Sequence, residues 1–213
     1  MDASAQSGLA RLAEVMRLIR RGCPWDAEQT HASLVTYLVE ESAELVDAID
    51  SGDDADLREE LGDLLLQIFF HAEIAAEQGR FTLDEVASEI ADKLVRRHPY
   101  VFTDEAVPED VVASWEQRKR QEKARTSALD GIPASLATLV RATKVIGRAR
   151  AHGVQLTLPS EPIEPDAVGA GLLSIVSRAH ASGVDADAAL RAELGHVESH
   201  IRAVEEGAKR RHP

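Results

Sequence analysis

Two acidic motifs follow one another along the chain and carry its strongest chemical signal. They are Glu40-Glu41-x-x-Glu44 and Glu59-Glu60-x-x-Asp63. Residues three apart lie on one face of a helix, so two such helices side by side would bring several carboxylates together. Carboxylate oxygens are the ligands that hard cations such as Mg²⁺ and Mn²⁺ prefer. The spacing therefore predicts a divalent metal site between two helices.

Apolar neighbours place four of these acids close to a core. Glu41 lies within or beside the apolar stripe of its helix, and Glu44 lies about 60° from it. Glu60 and Asp63 belong to a helix that is apolar nearly all round. Burying a charge is costly unless it is compensated, and only Arg58 is cationic between the two motifs. These four acids are therefore interpreted as metal ligands.

Two alternative interpretations of the acids differ in their support. A solvated helix face explains Glu40 and Glu59 better than metal binding does. A di-iron carboxylate bundle would need two Glu-x-x-His pairs beside the acidic motifs. The two pairs in the chain, Glu28-x-x-His31 and Glu193-x-x-His196, lie outside those motifs. We therefore reject the di-iron interpretation.

The positions of glycine and proline predict a chain of helices. We expect helices at about residues 9–21, 30–49, 54–78, 83–98, 108–125, 133–153, 166–181 and 187–206. Thr82 and Glu85 have the spacing of a capping box. No stretch alternates convincingly between apolar and polar residues, so the predicted fold class is all-α. Residues 154–165 contain three prolines and are predicted to form a linker, and residues 207–213 are expected to fray.

Composition excludes several classes of protein. The chain has 213 residues with 24 Lys and Arg against 37 Asp and Glu, a formal charge of −13. A net acidic surface disfavours binding to nucleic acid or to an anionic membrane. A single cysteine rules out an intrachain disulfide framework, and no apolar segment is long enough to span a bilayer. We expect a cytoplasmic protein that binds neither nucleic acid nor membranes.

Motifs beyond the acidic pair complete a recognisable set. In order, they are Gly22-Cys-Pro-Trp-Asp26, Gln29-Thr30, Glu40-Glu41-x-x-Glu44, Glu60-Leu-Gly-Asp63, Lys93-x-x-Arg96-Arg97-His98-Pro99-x-Val101-Phe102 and Trp115-Glu-x-x-Lys119. As a set, over about residues 9–153, the chain resembles MazG, the all-α nucleoside triphosphate pyrophosphohydrolases. The resemblance implies Mg²⁺-dependent hydrolysis of a nucleoside triphosphate to the monophosphate and pyrophosphate, in which Mn²⁺ is a plausible substitute. It also implies that Glu41, Glu44, Glu60 and Asp63 hold the metal.

Basic and aromatic residues downstream are candidates for substrate binding. Lys93, Arg96 and Arg97 share a helix face and are expected to neutralise the phosphates, although charge compensation at a helix C-terminus explains the two arginines equally well. The resemblance favours a base contact for Trp115, and Lys119 lies one turn further on. Half-buried core is the alternative for Trp115. Glu40 is our candidate for orienting or deprotonating the attacking water.

The predicted domains are a catalytic helical domain over residues 1–153, a linker over 154–165 and a helical tail over 166–213. The tail echoes the middle of the chain weakly, with Gly171 in place of Asp63. The helix over 54–78 is apolar on both sides, and one short unit has difficulty covering both. This pattern and the resemblance predict a homodimer, with the tail as an alternative cover within one chain. A non-catalytic nucleotide-binding module on the same fold is the alternative function.

Overall fold

A computed structural model describes residues 7–122 and 126–211, apart from the side chains of residues 116, 120, 121 and 211. Within these ranges the chain forms ten helices and no strand, which confirms the all-α fold class. The helices are α1 (Gly8–Gly22), α2 (Pro24–Glu28), α3 (Val35–Ser51), α4 (Asp54–Glu77), α5 (Leu83–Arg97), α6 (Pro99–Phe102), α7 (Val111–Glu122), α8 (Thr138–Ala151), α9 (Pro165–Ala181) and α10 (Ala186–Arg211). They fall into two compact units, Met1–Phe102 and Thr103–Pro213. The domain boundaries predicted from the sequence stay a prediction.

Several helix bounds differ from those expected. Helix α7 begins at Val111 because the Asp110 carboxylate accepts a hydrogen bond from the Ala113 amide, at 2.8 Å, and so caps the helix after Pro108. The short helices α2 and α6 were not expected, and both begin at a proline. Helix α10 continues to Arg211, so the expectation of fraying from residue 207 was wrong for residues 207–211. The part of the fifth predicted helix at residues 123–125 lies outside the described ranges.

A two-residue connection joins α3 to α4 and fixes their arrangement. Gly52 ends α3 with φ of 71°, a left-handed conformation that glycine adopts without steric cost. Asp53 then caps α4, its Oδ1 accepting from the Ala55 amide at 2.7 Å. So short a link makes the two helices antiparallel neighbours. Residues at similar distances from the turn therefore face one another, which brings the two acidic motifs to the same level.

Helix α4 has two halves with different neighbours. Its C-terminal half supplies Phe69, Phe70 and Ile74 to a buried cluster completed by Met16 of α1 and by Leu34. Its N-terminal half carries Glu60 and Asp63, outside that cluster. The core of the first unit thus anchors one end of α4 and leaves the acidic end beside α3.

Within the described residues no helix combines the length and the apolar character that crossing a bilayer requires.

Buried Arg20 of α1 forms an ion pair with the C-terminal end of α4. Arg20 is 8% exposed and pairs with Glu77, its Nε donating to Oε1 at 3.0 Å. Its guanidinium also donates to the backbone carbonyls of Asp26 and Gln29. Because each of these bonds satisfies a buried donor, the network fixes the segment that leads into α3.

The second unit has an apolar core of its own. Buried Val145 and Ala149 of α8 pack with Leu194 and Ile201 of α10. Arg141 of α8 pairs with Glu198 of α10, its Nη2 lying 2.6 Å from Oε1. The helix that the sequence grouped with the catalytic domain therefore shares a core with the tail.

Candidate metal centre

The α3–α4 hairpin brings three of the predicted ligands together. One carboxylate oxygen from each of Glu41, Glu60 and Asp63 can be chosen so that all three lie within 4.8 Å of one another. Each of these side chains is half-buried. Glu60 and Asp63 are three residues apart on α4 and so share a face, which Glu41 approaches from α3. The carboxylates thus converge on one point between the two helices.

Glu60 is the least satisfied of the three acids. Its Oε2 is buried and accepts no hydrogen bond. Burial raises the pKa of Glu60 above its usual range, and the negative charges of Glu44 and Asp63 raise the pKa further. An orphaned buried carboxylate oxygen is unfavourable unless a cation or a donor meets it.

Glu41, on α3, is affected by burial and by the same neighbouring carboxylates. Burial raises the pKa of Glu41, and the charges of Asp63, Glu44 and Glu60 add to that effect. Glu44 is exposed and lies outside the three-oxygen group, yet it is close enough to act on both neighbours. Glu40 is exposed as well.

A divalent cation fits this arrangement. The ligand atoms are oxygens, which Mg²⁺ and Mn²⁺ prefer. Among the described residues, every charged group that shifts the pKa of Glu41 or Glu60 is another carboxylate. A divalent cation at the centre of the group would attract all three carboxylates and so offset their mutual repulsion. It would also give the buried Oε2 of Glu60 a partner.

The basic residues predicted to bind phosphate lie at the C-terminal end of α5. Lys93 is half-buried, Arg96 is exposed and Arg97 is only 6% exposed. Three apolar residues of the same helix, Val86, Ile90 and Leu94, are exposed by 37 to 43% within one chain.

The downstream candidates belong to the second unit. Trp115 and Lys119 lie one turn apart on α7, and both are half-buried. In the first unit, Trp25 meets Tyr37 of α3 edge to face at 5.8 Å between ring centroids, and half of Trp25 is exposed. Trp25 therefore does not belong to the buried core of the first unit.

A polar group that the sequence analysis did not single out continues the acidic face along α4. Gln67 is 4% exposed with an unpaired Oε1, and the Nε2 of His71 is also buried and unpaired. The Nδ1 of His71 lies 2.8 Å from that of His31, which in turn contacts Arg80. Helical spacing from Asp63 through Gln67 to His71 could have shown this face.

Comparisons with known proteins agree with the motifs. The profile of the MazG nucleotide pyrophosphohydrolase domain matches residues 29–102. The chain is 45% identical over 206 residues to a protein from Streptomyces cacaoi described as an uncharacterized 26.1 kDa protein in the blaB 3′ region, a match covering 92% of this chain and 82% of that protein. It is 47% identical over 155 residues to the nucleoside triphosphate pyrophosphohydrolase of Escherichia coli K12, covering 69% of this chain and 59% of that protein.

One solved structure is similar to part of the chain. The crystal structure of a mazG-related protein from Thermotoga maritima is 29% identical and superposes with a TM-score of 0.46, covering 52% of this chain and 97% of that one. The match to the Escherichia coli nucleoside triphosphate pyrophosphohydrolase covers 59% of that protein, so this chain spans little more than half of its length. By the profile match over the α3–α4 hairpin and the identity to these relatives, the chain belongs to the MazG nucleotide pyrophosphohydrolase family.

Proposed function

We propose that this chain is a Mg²⁺-dependent nucleoside triphosphate pyrophosphohydrolase. It would convert ribo- or deoxyribonucleoside triphosphates and water to the monophosphate and pyrophosphate, a reaction suited to clearing the nucleotide pool. The convergence of Glu41, Glu60 and Asp63 within 4.8 Å is the observation that carries the proposal, and among the described residues only carboxylate charges shift the pKa of Glu41 and Glu60. The name of the Escherichia coli relative supports the type of reaction.

Four acids would hold the metal, with Mn²⁺ as a plausible substitute. The proximity of Glu41, Glu60 and Asp63 to one another supports this, and exposed Glu44 would join them by a change of side-chain rotamer. When bound, Mg²⁺ supplies charge neutralisation at the phosphates and lowers the pKa of a coordinated water. Glu40, exposed on the same helix, would orient that water or take its proton.

Cationic side chains would balance the remaining charge of the triphosphate. Lys93 is the strongest candidate, since this half-buried residue lies on the same helix face as Arg96 and Arg97. Trp115 would stack on the base, a contact that tolerates any base, and Lys119 would reach a phosphate. These five assignments to substrate depend on the family resemblance together with helix spacing.

The first unit would act as a homodimer. Helices α3, α4 and α5 expose large apolar side chains, among them, in chain order, Val39, Val46, Ile49, Leu61, Ile68, Val86, Ile90 and Leu94. A monomer seldom leaves so much apolar surface in contact with water. Pairing of two copies about a two-fold axis would cover it. Light scattering tests this, and a fully active monomer at micromolar concentration would refute it.

A nucleotide panel with product analysis tests the function. The full chain is incubated with ribo- and deoxyribonucleoside triphosphates and Mg²⁺, and products are followed by phosphorus NMR. We expect monophosphate and pyrophosphate, and no turnover in excess chelator. Orthophosphate as the first product would contradict the bond assignment. Tight nucleotide binding without turnover would instead identify a non-catalytic nucleotide-binding module.

A further inference from the structure

Two buried polar atoms on α4 have no hydrogen-bond partner among the described residues. They are Oε1 of Gln67, a residue that is only 4% exposed, and Nε2 of His71. The two residues are four positions apart on one helix, so their side chains lie on the same face. A buried polar atom without a partner is unfavourable, so two of them on one face indicate a bound group that supplies the missing partners.

The contacts of His31 determine which nitrogen of His71 carries the proton. Arg80 contacts Nε2 of His31, and because a guanidinium only donates, that nitrogen must accept. Neutral His31 then has its proton on Nδ1, which lies 2.8 Å from Nδ1 of His71 and donates to it. Burial lowers the pKa of His71, and a positive charge on His31 lowers it further, so His71 is neutral near pH 7. Its own proton is therefore on the buried Nε2.

Gln67 and His71 thus present one acceptor and one donor, and neither group is charged. Oε1 of Gln67 accepts a hydrogen bond, and the Nε2–H of His71 donates one. An ionised phosphate oxygen has no proton for Gln67, and a metal ion has no lone pair for His71. A neutral group that both donates and accepts satisfies the two atoms together. In a nucleoside, such a group is a sugar hydroxyl or the hydrogen-bonding edge of a base.

The pair lies on the same face of α4 as the proposed metal centre. Asp63 precedes Gln67 by one helical turn and His71 by two, which is about 6 Å and 12 Å along the helix axis. His71 as a whole is half-buried, so the pair lies at the margin of the core. When the phosphates of a nucleotide are at the metal centre, the uncharged nucleoside is the part that remains to meet residues further along the helix.

We propose that Gln67 and His71 form a nucleoside subsite, in which they hydrogen-bond one neutral donor–acceptor group of the substrate, a sugar hydroxyl or a base edge. His31 and Arg80 are positioning residues, because they set the tautomer of His71. The inference rests on the proposed function, since it takes a nucleoside triphosphate as the ligand. The subsite adds selectivity for the nucleoside to the charge neutralisation that the cationic side chains would supply.

Replacing the acceptor separates binding from packing. In the full chain, Gln67→Met nearly keeps the side-chain length and removes the unpaired Oε1. With Mg²⁺ and an α,β-methylene nucleoside triphosphate, which the proposed reaction does not cleave, calorimetry should show binding weakened about three- to tenfold. The urea midpoint of the nucleotide-free chain should rise, because an unpaired buried acceptor is lost. Gln78→Met, the same exchange at the exposed end of α4, is the control and should change neither.

Analogues of the same nucleotide identify the bound group. The loss caused by Gln67→Met should vanish for a 2′,3′-dideoxy form if a sugar hydroxyl is bound, and persist there if a base edge is bound. Equal affinity of Gln67→Met and the natural chain for every nucleotide would overturn the subsite and leave the proposed function intact. Failure of the natural chain to bind any nucleotide would overturn the proposed function and the subsite with it.

Nitrogen NMR tests the positioning residues. The ¹⁵N shifts of His71 should show a protonated Nε2 in the natural chain and a mixture of tautomers in Arg80→Met, a change at an exposed residue. Arg80→Met should also raise KM more than it lowers kcat, because the donor acts in binding rather than in bond cleavage. A proton on Nδ1 of His71 in the natural chain would overturn the donor assignment. An unchanged tautomer in Arg80→Met would overturn the positioning role of Arg80.

Discussion

Helices α4 and α9 carry similar sequence motifs and differ in what surrounds them. Each is followed by a glycine with positive φ, Gly79 after α4 and Gly183 after α9. Helix α4 buries six residues and holds carboxylates against α3, whereas α9 buries none and carries an apolar stripe. Where α4 has Gly62-Asp63-Leu64-Leu65, α9 has Ala170-Gly171-Leu172-Leu173. Whether these segments descend from one repeat stays a prediction.

The comparison tests how few residues can separate the proposed metal site from a structural helix. Both helices keep leucines at equivalent positions, so both can pack. Helix α4 also keeps partly desolvated acids, and burial together with neighbouring negative charges raises the pKa of Glu60 and of its neighbour Glu41. Helix α9 has glycine at the position of Asp63, and its described part carries no acid except Asp166 at its start. The predictions below test whether function follows that chemical difference.

The largest expected effect comes from removing a ligand charge. Asp63→Asn should lower turnover by more than about 100-fold, since even residues that only orient metal ligands contribute 10- to 100-fold. The fold should survive, because a neutral amide relieves the repulsion on Glu41 and Glu60. Steady-state kinetics and thermal melting measure the two effects. Asp50→Asn, exposed at the end of the same hairpin's first helix, is the control, and full activity of Asp63→Asn would exclude a metal role for Asp63.

A somewhat smaller loss is expected at Glu44. This acid is exposed and stands outside the three-oxygen group, so it must move to bind metal. Glu44→Gln should lower turnover by roughly 10- to 100-fold and raise the Mg²⁺ concentration needed for half-maximal rate. A Mg²⁺ titration of activity checks both. An unchanged titration curve would remove Glu44 from the ligand set.

In the second unit, we expect the free energy of unfolding to depend on apolar packing between α8 and α10 rather than on charge. Val145→Ala removes two methyl groups from a fully buried site on α8 and should cost about 2 kcal/mol of unfolding free energy. Val140→Ala is the same change on the same helix, at a side chain that is 53% exposed, and should cost less than about 0.5 kcal/mol. Urea unfolding compares them. Equal costs would contradict the α8–α10 core.

The smallest effect is a pH dependence of the metal-free hairpin. Because the pKa values of Glu41 and Glu60 are raised in the folded chain, that chain takes up protons at higher pH than the unfolded chain. The free energy of unfolding therefore rises as pH falls through those raised pKa values, until the unfolded acids titrate near about 4.3. In chelator, Glu60→Gln should be more stable than the natural chain at pH 7, by a margin that shrinks toward pH 5.

Urea midpoints across that range measure the margin. Glu89→Gln, at an exposed position of α5, controls for the loss of one negative charge. A margin independent of pH would show that crowding among the carboxylates does not act on stability.

Local signals predicted much of the fold. The capping box of Thr82 and Glu85 is present, with the Thr82 amide donating to Glu85 at 2.7 Å. Helix α9 spans nearly the expected residues. Helix starts near Pro108 and Pro133 were less accurate, because proline permits a helix start without requiring one, and a capping residue such as Asp110 decides the position.

The sequence by itself determined the helical class, the two acidic motifs and their spacing, because helical periodicity and charge are written residue by residue. Only the tertiary structure decided which carboxylates meet, since that depends on the turn at Gly52 and Asp53 and on the depth at which α3 packs. The tertiary structure also decided which apolar residues are buried and which are exposed. Val145 and Leu172 have the same kind of pattern, yet one is buried against α10 and the other faces water. A pattern records that a face is apolar, whereas only packing against a distant segment determines what covers it.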